Sequence, residues 1–165
     1  MNMIVAADKK NGIGFRGKLL VTIPYDQQLF RRETLGKVVV MGRKTLESLP
    51  GGRALEGRRN LVLTGDLQYR SKGAEVVHSV EEALKALEGE PEENIYVIGG
   101  ESIYRQFLPY TDTIHMTKID YSYEADTHFP QLPESEWELE EVSEEQTYFD
   151  LVYEFRRYRR RKNPS

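Results

Sequence analysis

Lys37-Val38-Val39-Val40-Met41-Gly42-Arg43-Lys44-Thr45 sets the architecture. Its β-branched run, bounded by Gly36 and Gly42, has the make-up of a central strand. The residues after it, Thr45-Leu46-Glu47-Ser48, suit a short helix limited by Pro50-Gly51-Gly52. Working outward, strands are expected over 3–7, 60–63, 75–77, 94–98 and 113–119. Helical patterns lie between them. Ser79 is a good N-cap for a helix over 80–87 that Gly89 ends. A second helix over 102–108 stops at Pro109. Strands alternating with helices predict an α/β fold with a mostly parallel central sheet flanked by helices. The last part differs. Residues 137–142 and 148–158 alternate as long strands joined through 143–147, which predicts a C-terminal antiparallel hairpin at a sheet edge. Nothing marks a linker, so a single domain over 1–162 with a short tail at 163–165 is expected.

Composition narrows the function. The 165 residues suffice for one domain with a real core. No apolar run approaches the roughly 18–20 residues of a membrane span. Met1-Asn2 leads straight into the first strand with no leader pattern. There is no cysteine, which removes disulfides, thiolate catalysis and Cys-based metal sites and agrees with a cytoplasmic setting. The histidines, His78, His115 and His128, are far apart, so no metal site is expected. A formal charge of −4 argues against a general nucleic-acid binder. The basic run Arg156-Arg157-Tyr158-Arg159-Arg160-Arg161-Lys162 is expected to be a solvated strand end and frayed terminus, partly neutralised by the acidic segment 134–145.

Three stretches carry chemistry. Leu19-Leu20-Val21-Thr22-Ile23-Pro24-Tyr25-Asp26-Gln27-Gln28-Leu29-Phe30-Arg31 runs extended into Pro24, which is favoured in a helix first turn. A helix over 24–34, stopped by Gly36, puts Asp26 and Phe30 on one face. A carboxylate on an apolar face is costly without a partner, or else it complements the helix N-terminus. Gly42-Arg43-Lys44-Thr45 and Gly99-Gly100-Glu101-Ser102 each join a strand to a helix. Both suit phosphate, and both fall at the carboxyl ends of parallel strands, where open α/β sheets bind ligands. Gly12-Ile13-Gly14-Phe15-Arg16-Gly17 matches the dinucleotide fingerprint by letter. An extended segment follows it instead of a helix, so it is expected to be a mobile, tightly turning loop beside Asp26.

The ordered set Gly12-Ile13-Gly14, Ile23-Pro24-x-Asp26, Phe30-Arg31-x-x-Thr34-Leu35-Gly36-Lys37, Val40-Met41-Gly42-Arg43-Lys44-Thr45, Arg58-Arg59-Asn60, Ile98-Gly99-Gly100, Tyr104-x-x-Phe107-Leu108-Pro109 and Asp126-Thr127-His128-Phe129-Pro130 resembles the dihydrofolate reductase family over nearly the full length. The resemblance implies reduction of 7,8-dihydrofolate with hydride from NADPH, feeding one-carbon metabolism, and binding of antifolate-type ligands. It implies a monomer, with no nucleic acid or membrane as partner. Asp26 matches the ionised side chain of the pterin pocket and Thr117 the residue that supports it. Phe30 and Leu49 match the apolar slot. Ile4, Val5 and Ile98 match its apolar contacts, with the carbonyls of Ile4 and Ile98 facing the pterin edge. Arg58 matches the arginine for the glutamate α-carboxylate, Arg53 a nearby cation, and Tyr104 a residue shared with the cofactor side. Ala6, Ile13 and Gly14 match the nicotinamide end. Arg43, Leu63, Thr64, Gly65 and His78 match the adenosine 2′-phosphate region. Gly42, Lys44 and Thr45 match the pyrophosphate region, with Gly99, Gly100, Glu101, Ser102, Ile103, Tyr104 and Thr127 opposite. The resemblance also implies a cis Gly99–Gly100 bond. Val21 departs from the pattern, since many members carry tryptophan there, and Gln27 replaces a usual leucine. Two other readings compete: a binder that has lost turnover through Val21, and a reductase of another pterin or pyrimidine. Asp26 and Thr117 disfavour the first, Arg58 and Phe30 the second.

Overall fold

Six strands run parallel in the order β8 (Thr113–Ile119), β1 (Asn2–Ala7), β7 (Ile95–Gly99), β4 (Val38–Gly42), β5 (Arg59–Leu63) and β6 (Ala74–Val77). The computed structural model describes residues 1–162, so the expected tail at 163–165 lies outside the described residues. Side chains alternate across the sheet. Val38 and Val40 join Leu61, Leu63 and Val97 in one core, and Val39 and Met41 join Val62 and Tyr96 in the other. The apolar run at 38–41 is therefore covered on both faces, as parallel sheets require.

The chain leaves β1, forms helix α1 (Pro24–Thr34) and returns as β4, while β7 fills the gap between the two strands. Connections thus diverge on either side of β7. This reversal opens a crevice at the strands' carboxyl ends, where Ala7, Gly42 and Gly99 sit. Helix α1 begins with proline and ends at Thr34, with Leu35 as its extended C-cap. Gly36 then turns with φ +77° and donates its N–H to the Gly57 carbonyl at 2.8 Å. Two short helices, α2 (Arg43–Ser48) and α4 (Glu101–Phe107), leave the ends of β4 and β7. Helix α3 (Val80–Ala86) is capped by Ser79, whose side chain accepts from the Glu82 N–H.

A second, three-stranded antiparallel sheet, β3-β2-β9, sits apart: β2 (Gly12–Phe15), β3 (Lys18–Leu19) and β9 (Thr127–His128). The glycine-rich match forms this hairpin, turning at Arg16 and Gly17 with φ +49° and +78°, and strand β3 rather than a helix follows it directly. The extended apolar segment is regular only over Lys18–Leu19, and Leu19 is 69% exposed rather than in a core.

The C-terminal arm corrects the expected hairpin. β10 (Trp137–Val142) and β11 (Gln146–Tyr148) both pair with one long strand, β12 (Leu151–Arg160). The turn is Phe149-Asp150, with Phe149 at φ +53°, not 143–147. At the break between β10 and β11, Ser143 donates its N–H to the Phe155 carbonyl, and its Oγ accepts from the Phe155 N–H. β12 lies between β10 and β8, so β10 forms the edge. The basic run is strand through Arg160, longer than expected, and the acidic segment partly neutralises it as expected. Glu140 accepts from Arg157 and Arg159, Glu141 pairs with Arg157, and Arg160 lies 4.4 Å over the Trp137 ring.

Candidate active site

Asp26 sits in the first turn of α1, and the Thr117 hydroxyl of β8 donates to its Oδ1 at 2.5 Å. This contact spans 91 residues of chain. It is possible because β8 lies beside β1 and places Thr117 opposite Ala6. Burial pushes the Asp26 carboxyl above the ordinary aspartate range, and the Thr117 bond pulls it partway back. Asp26 stands between two cavities. One, of about 160 Å³, runs between α1, β8 and β12 and is lined by Leu29, Glu33, His115, Thr117 and Phe155 among others. The other, of about 40 Å³, lies under the β2–β3 hairpin and is lined by Ala6, Ile13, Val21 and Ile23.

Ile4, Leu49 and Ile98 are partly buried and pack against the same core cluster of Val39, Met41, Leu46, Val62 and Tyr96. Phe30 is half-buried one helical turn from Asp26. Val5 is a correction: its side chain belongs to the opposite core, because neighbours on a strand face opposite ways. Leu63 is likewise a core residue of that opposite face. The buried Tyr104 hydroxyl donates to the Ile4 carbonyl at 2.8 Å, and its ring meets Phe129 edge-on at 4.9 Å. Burial first, and then the Asp26 charge, push its phenol far above the ordinary tyrosine value. Arg58 is held from behind. Its Nε donates to Thr34 Oγ1 at 2.8 Å, and that hydroxyl donates to the Phe30 carbonyl. No carboxylate among the described residues pairs with Arg58. Burial and Arg31 lower its pKa, a site poor in negative charge and suited to an incoming anion. Arg53 is exposed.

The two strand–helix turns meet. A Cβ on Gly42 would stand 3.0 Å from Ile103, and one on Gly100 would stand 3.7 Å from Thr45 Oγ1. Gly99 has φ +119°, and a Cβ there would press on the Tyr104 ring at 3.2 Å. The Gly99–Gly100 bond is cis. Neither Gly42 nor Gly100 caps its helix with a side chain, so the first-turn N–H groups of α2 and α4 keep their capacity for an anion. Lys44 and Ser102 are exposed beside them. Gly14 faces Thr127 so closely that a Cβ would come 2.7 Å from its Oγ1. Glu101 is engaged structurally, accepting from the His128 N–H and pairing with Arg105. At the far end, Thr64 offers its carbonyl to His78 Nδ1 at 2.9 Å, and Gly65 is exposed. Arg43, expected at the 2′-phosphate, donates to Glu47 and Asp66. A glycine-lined cradle with uncapped helix starts and three nearby basic residues fits an extended dinucleotide.

Sequence reasoning assigned no role to two carboxylates. Asp8, 1% exposed, accepts from the N–H groups of Lys10, Gly12 and Tyr123 and so ties the end of β1 to both neighbouring loops. Asp126 accepts from the Arg16 N–H at 2.9 Å and donates its own N–H to the Gly14 carbonyl, pinning the glycine hairpin. An aspartate two or more residues ahead of Asn-Gly was the available signal for the first.

A family model described as dihydrofolate reductase matches residues 1–160. The dihydrofolate reductase of Bacillus subtilis is 38% identical over 167 residues, covering 99% of this chain and 96% of its own. That of Staphylococcus haemolyticus is 41% identical over 145 residues, 88% of this chain and 84% of its own. A solved dihydrofolate reductase from Enterococcus faecalis, complexed with NADP(H) and RAB-propyl, superposes with a TM-score of 0.87 at 32% identity. It covers 98% of this chain and 96% of its own.

Proposed function

The chain belongs to the dihydrofolate reductase family, and from that premise we propose that it reduces 7,8-dihydrofolate to 5,6,7,8-tetrahydrofolate with NADPH, using Asp26 as the catalytic carboxylate. The observation that carries the assignment is the Thr117-supported carboxylate at the mouth of the crevice. Its two oxygens accept the pterin ring N–H and the 2-amino group, a bidentate match that offsets the cost of burying the charge. Its raised pKa favours keeping a proton near the ring nitrogen that must gain one, with water as the carrier. Thr117 positions the carboxylate and does not touch the reacting atoms. Ile4, Ile98, Phe30 and Leu49 hold the ring flat in the slot and exclude water. Val5 contributes backbone only. Arg58, held in place by Thr34, pairs with the glutamate α-carboxylate, and Arg53 adds a weaker cation.

NADPH, when bound, supplies the hydride. Ala6, Ile13 and Gly14 would hold its nicotinamide end. Gly42, Lys44, Thr45 and Gly99 to Tyr104 would hold the pyrophosphate. Arg43, Thr64, Gly65 and His78 would hold the 2′-phosphate. The product supports one-carbon transfer in thymidylate, purine and amino-acid synthesis, and antifolate-type ligands compete for Asp26. We place the enzyme in the cytoplasm as a monomer, the family's usual form.

The first test follows loss of reduced-nicotinamide absorbance with dihydrofolate, with NADH in parallel. Asp26→Asn should keep NADPH affinity and lose most turnover near neutral pH. Undiminished turnover in that variant would remove Asp26 from the mechanism.

A further inference from the structure

Arg43 carries two carboxylates that the reading of its role does not explain. Its Nε donates to Glu47 Oε1 at 3.2 Å and its NH1 to Asp66 Oδ2 at 3.1 Å, with the guanidinium 4.6 Å over the Tyr69 ring. The two acids differ in how firmly they are held. Glu47 is one turn along the same helix and reaches Arg43 through a long, free side chain. Asp66 is anchored by its own turn. Its Oδ1 accepts from the Gln68 N–H at 2.9 Å, and its N–H donates to Thr64 Oγ1 at 3.2 Å. Thr64 in turn offers its carbonyl to His78. The Asp66 charge is therefore fixed beside Arg43 and Thr64, two of the four residues assigned to the 2′-phosphate. Glu47 can swing aside for an anion, but Asp66 cannot without opening the turn.

We propose that Asp66 is a specificity-determining residue that competes with the 2′-phosphate of NADPH for Arg43 and narrows the preference for NADPH over NADH. The proposal rests on the placement of the 2′-phosphate at Arg43. A phosphate monoester carries close to two negative charges at neutral pH, so it must displace Asp66 from the guanidinium and then stay beside it. A ligand with a plain 2′-hydroxyl meets neither cost. Because Arg43 and Asp66 are both partly exposed, the effect is modest and screened by salt.

The test measures dissociation constants of NADP⁺ and NAD⁺ by calorimetry for the full chain, Asp66→Asn and Arg43→Gln, at low and moderate ionic strength. Asparagine keeps an oxygen for the Gln68 N–H and removes only the charge. Asp66→Asn should bind NADP⁺ about threefold to fivefold more tightly at low salt and NAD⁺ unchanged. Arg43→Gln should lose affinity for NADP⁺ alone. If Arg43→Gln loses that selectivity while Asp66→Asn leaves NADP⁺ unchanged or weaker, Asp66 organises the arginine or is a bystander, and the proposal is overturned. If Arg43→Gln weakens both ligands equally or neither, the 2′-phosphate lies elsewhere and the proposal falls with its premise.

Discussion

Removing the Thr117 hydroxyl isolates what the fold does to the Asp26 carboxylate. Thr117→Val keeps the side-chain outline but deletes the donor 2.5 Å from Asp26 Oδ1. Thr117 is 5% exposed, so little water can take the donor's place. A hydrogen bond to a charged group is worth about 1.5–3 kcal/mol, against about 0.5–1.5 kcal/mol for a neutral pair. Asp26 keeps some contact with solvent, so the lower half of the first range applies. The cost must therefore depend on pH. The folded-state pKa of Asp26 already lies above its unfolded value. The stability this contributes is fully present below the ordinary aspartate pKa of about 3.9 and is lost as pH rises through the raised folded value. Without Thr117 the folded value rises further and the loss deepens. Urea unfolding of both proteins near neutral pH and near pH 4, compared at each pH, should show the larger deficit at neutral pH with unchanged m-values. The pH at which hydride transfer falls by half should move up by about one unit for each 1.36 kcal/mol lost from the ionised form. An equal deficit at both pH values, with an unmoved rate profile, would refute the coupling.

Arg58→Leu should raise KM for dihydrofolate about tenfold or more with kcat nearly unchanged, because the charge pair is remote from hydride transfer. A substrate lacking the glutamate tail is the control, and an equal loss with it would mean the tail binds elsewhere. Asp126→Ala should loosen the β2–β3 hairpin, cutting hydrogen-exchange protection of the Arg16 amide about fivefold while β1 amides stay protected. Unchanged protection at Arg16 would show that the strand pairing with β9 holds the hairpin without the carboxylate.

The strands and helices were legible because their signals are local: β-branched runs, Ser79 before a helix, Pro24 opening another. The order of strands was not. It depends on β7 entering between β1 and β4, a packing choice made across the whole chain. The turn of the C-terminal arm was misplaced for a local reason. Ser143-Glu144-Glu145 is polar and looks like a loop, whereas Phe149-Asp150 has no glycine, proline or asparagine to announce it. The face on which Val5 lies was hidden too, since an unbroken apolar run shows no alternation. Asp26 stood out as a charge on an apolar face, but its partner Thr117 came only through family resemblance. Pairings such as Arg43 with Asp66 rest on loop conformation, which leaves no periodic trace.

The insertion of β12 between β8 and β10 has a consequence for synthesis. Thr117 pairs across the ladder with Phe155, so β8 is translated well before the strand that covers it. At roughly 5–20 residues per second, the nascent protein carries an open β8 edge for a few seconds. In that interval the strand bearing Thr117 is a template for wrong pairing with neighbouring nascent chains, and the cavity that Thr117 and Phe155 line has one wall missing. Closure of that edge thus waits on the arginine-rich strand β12, and until it pairs a holdase chaperone has a defined edge to shield.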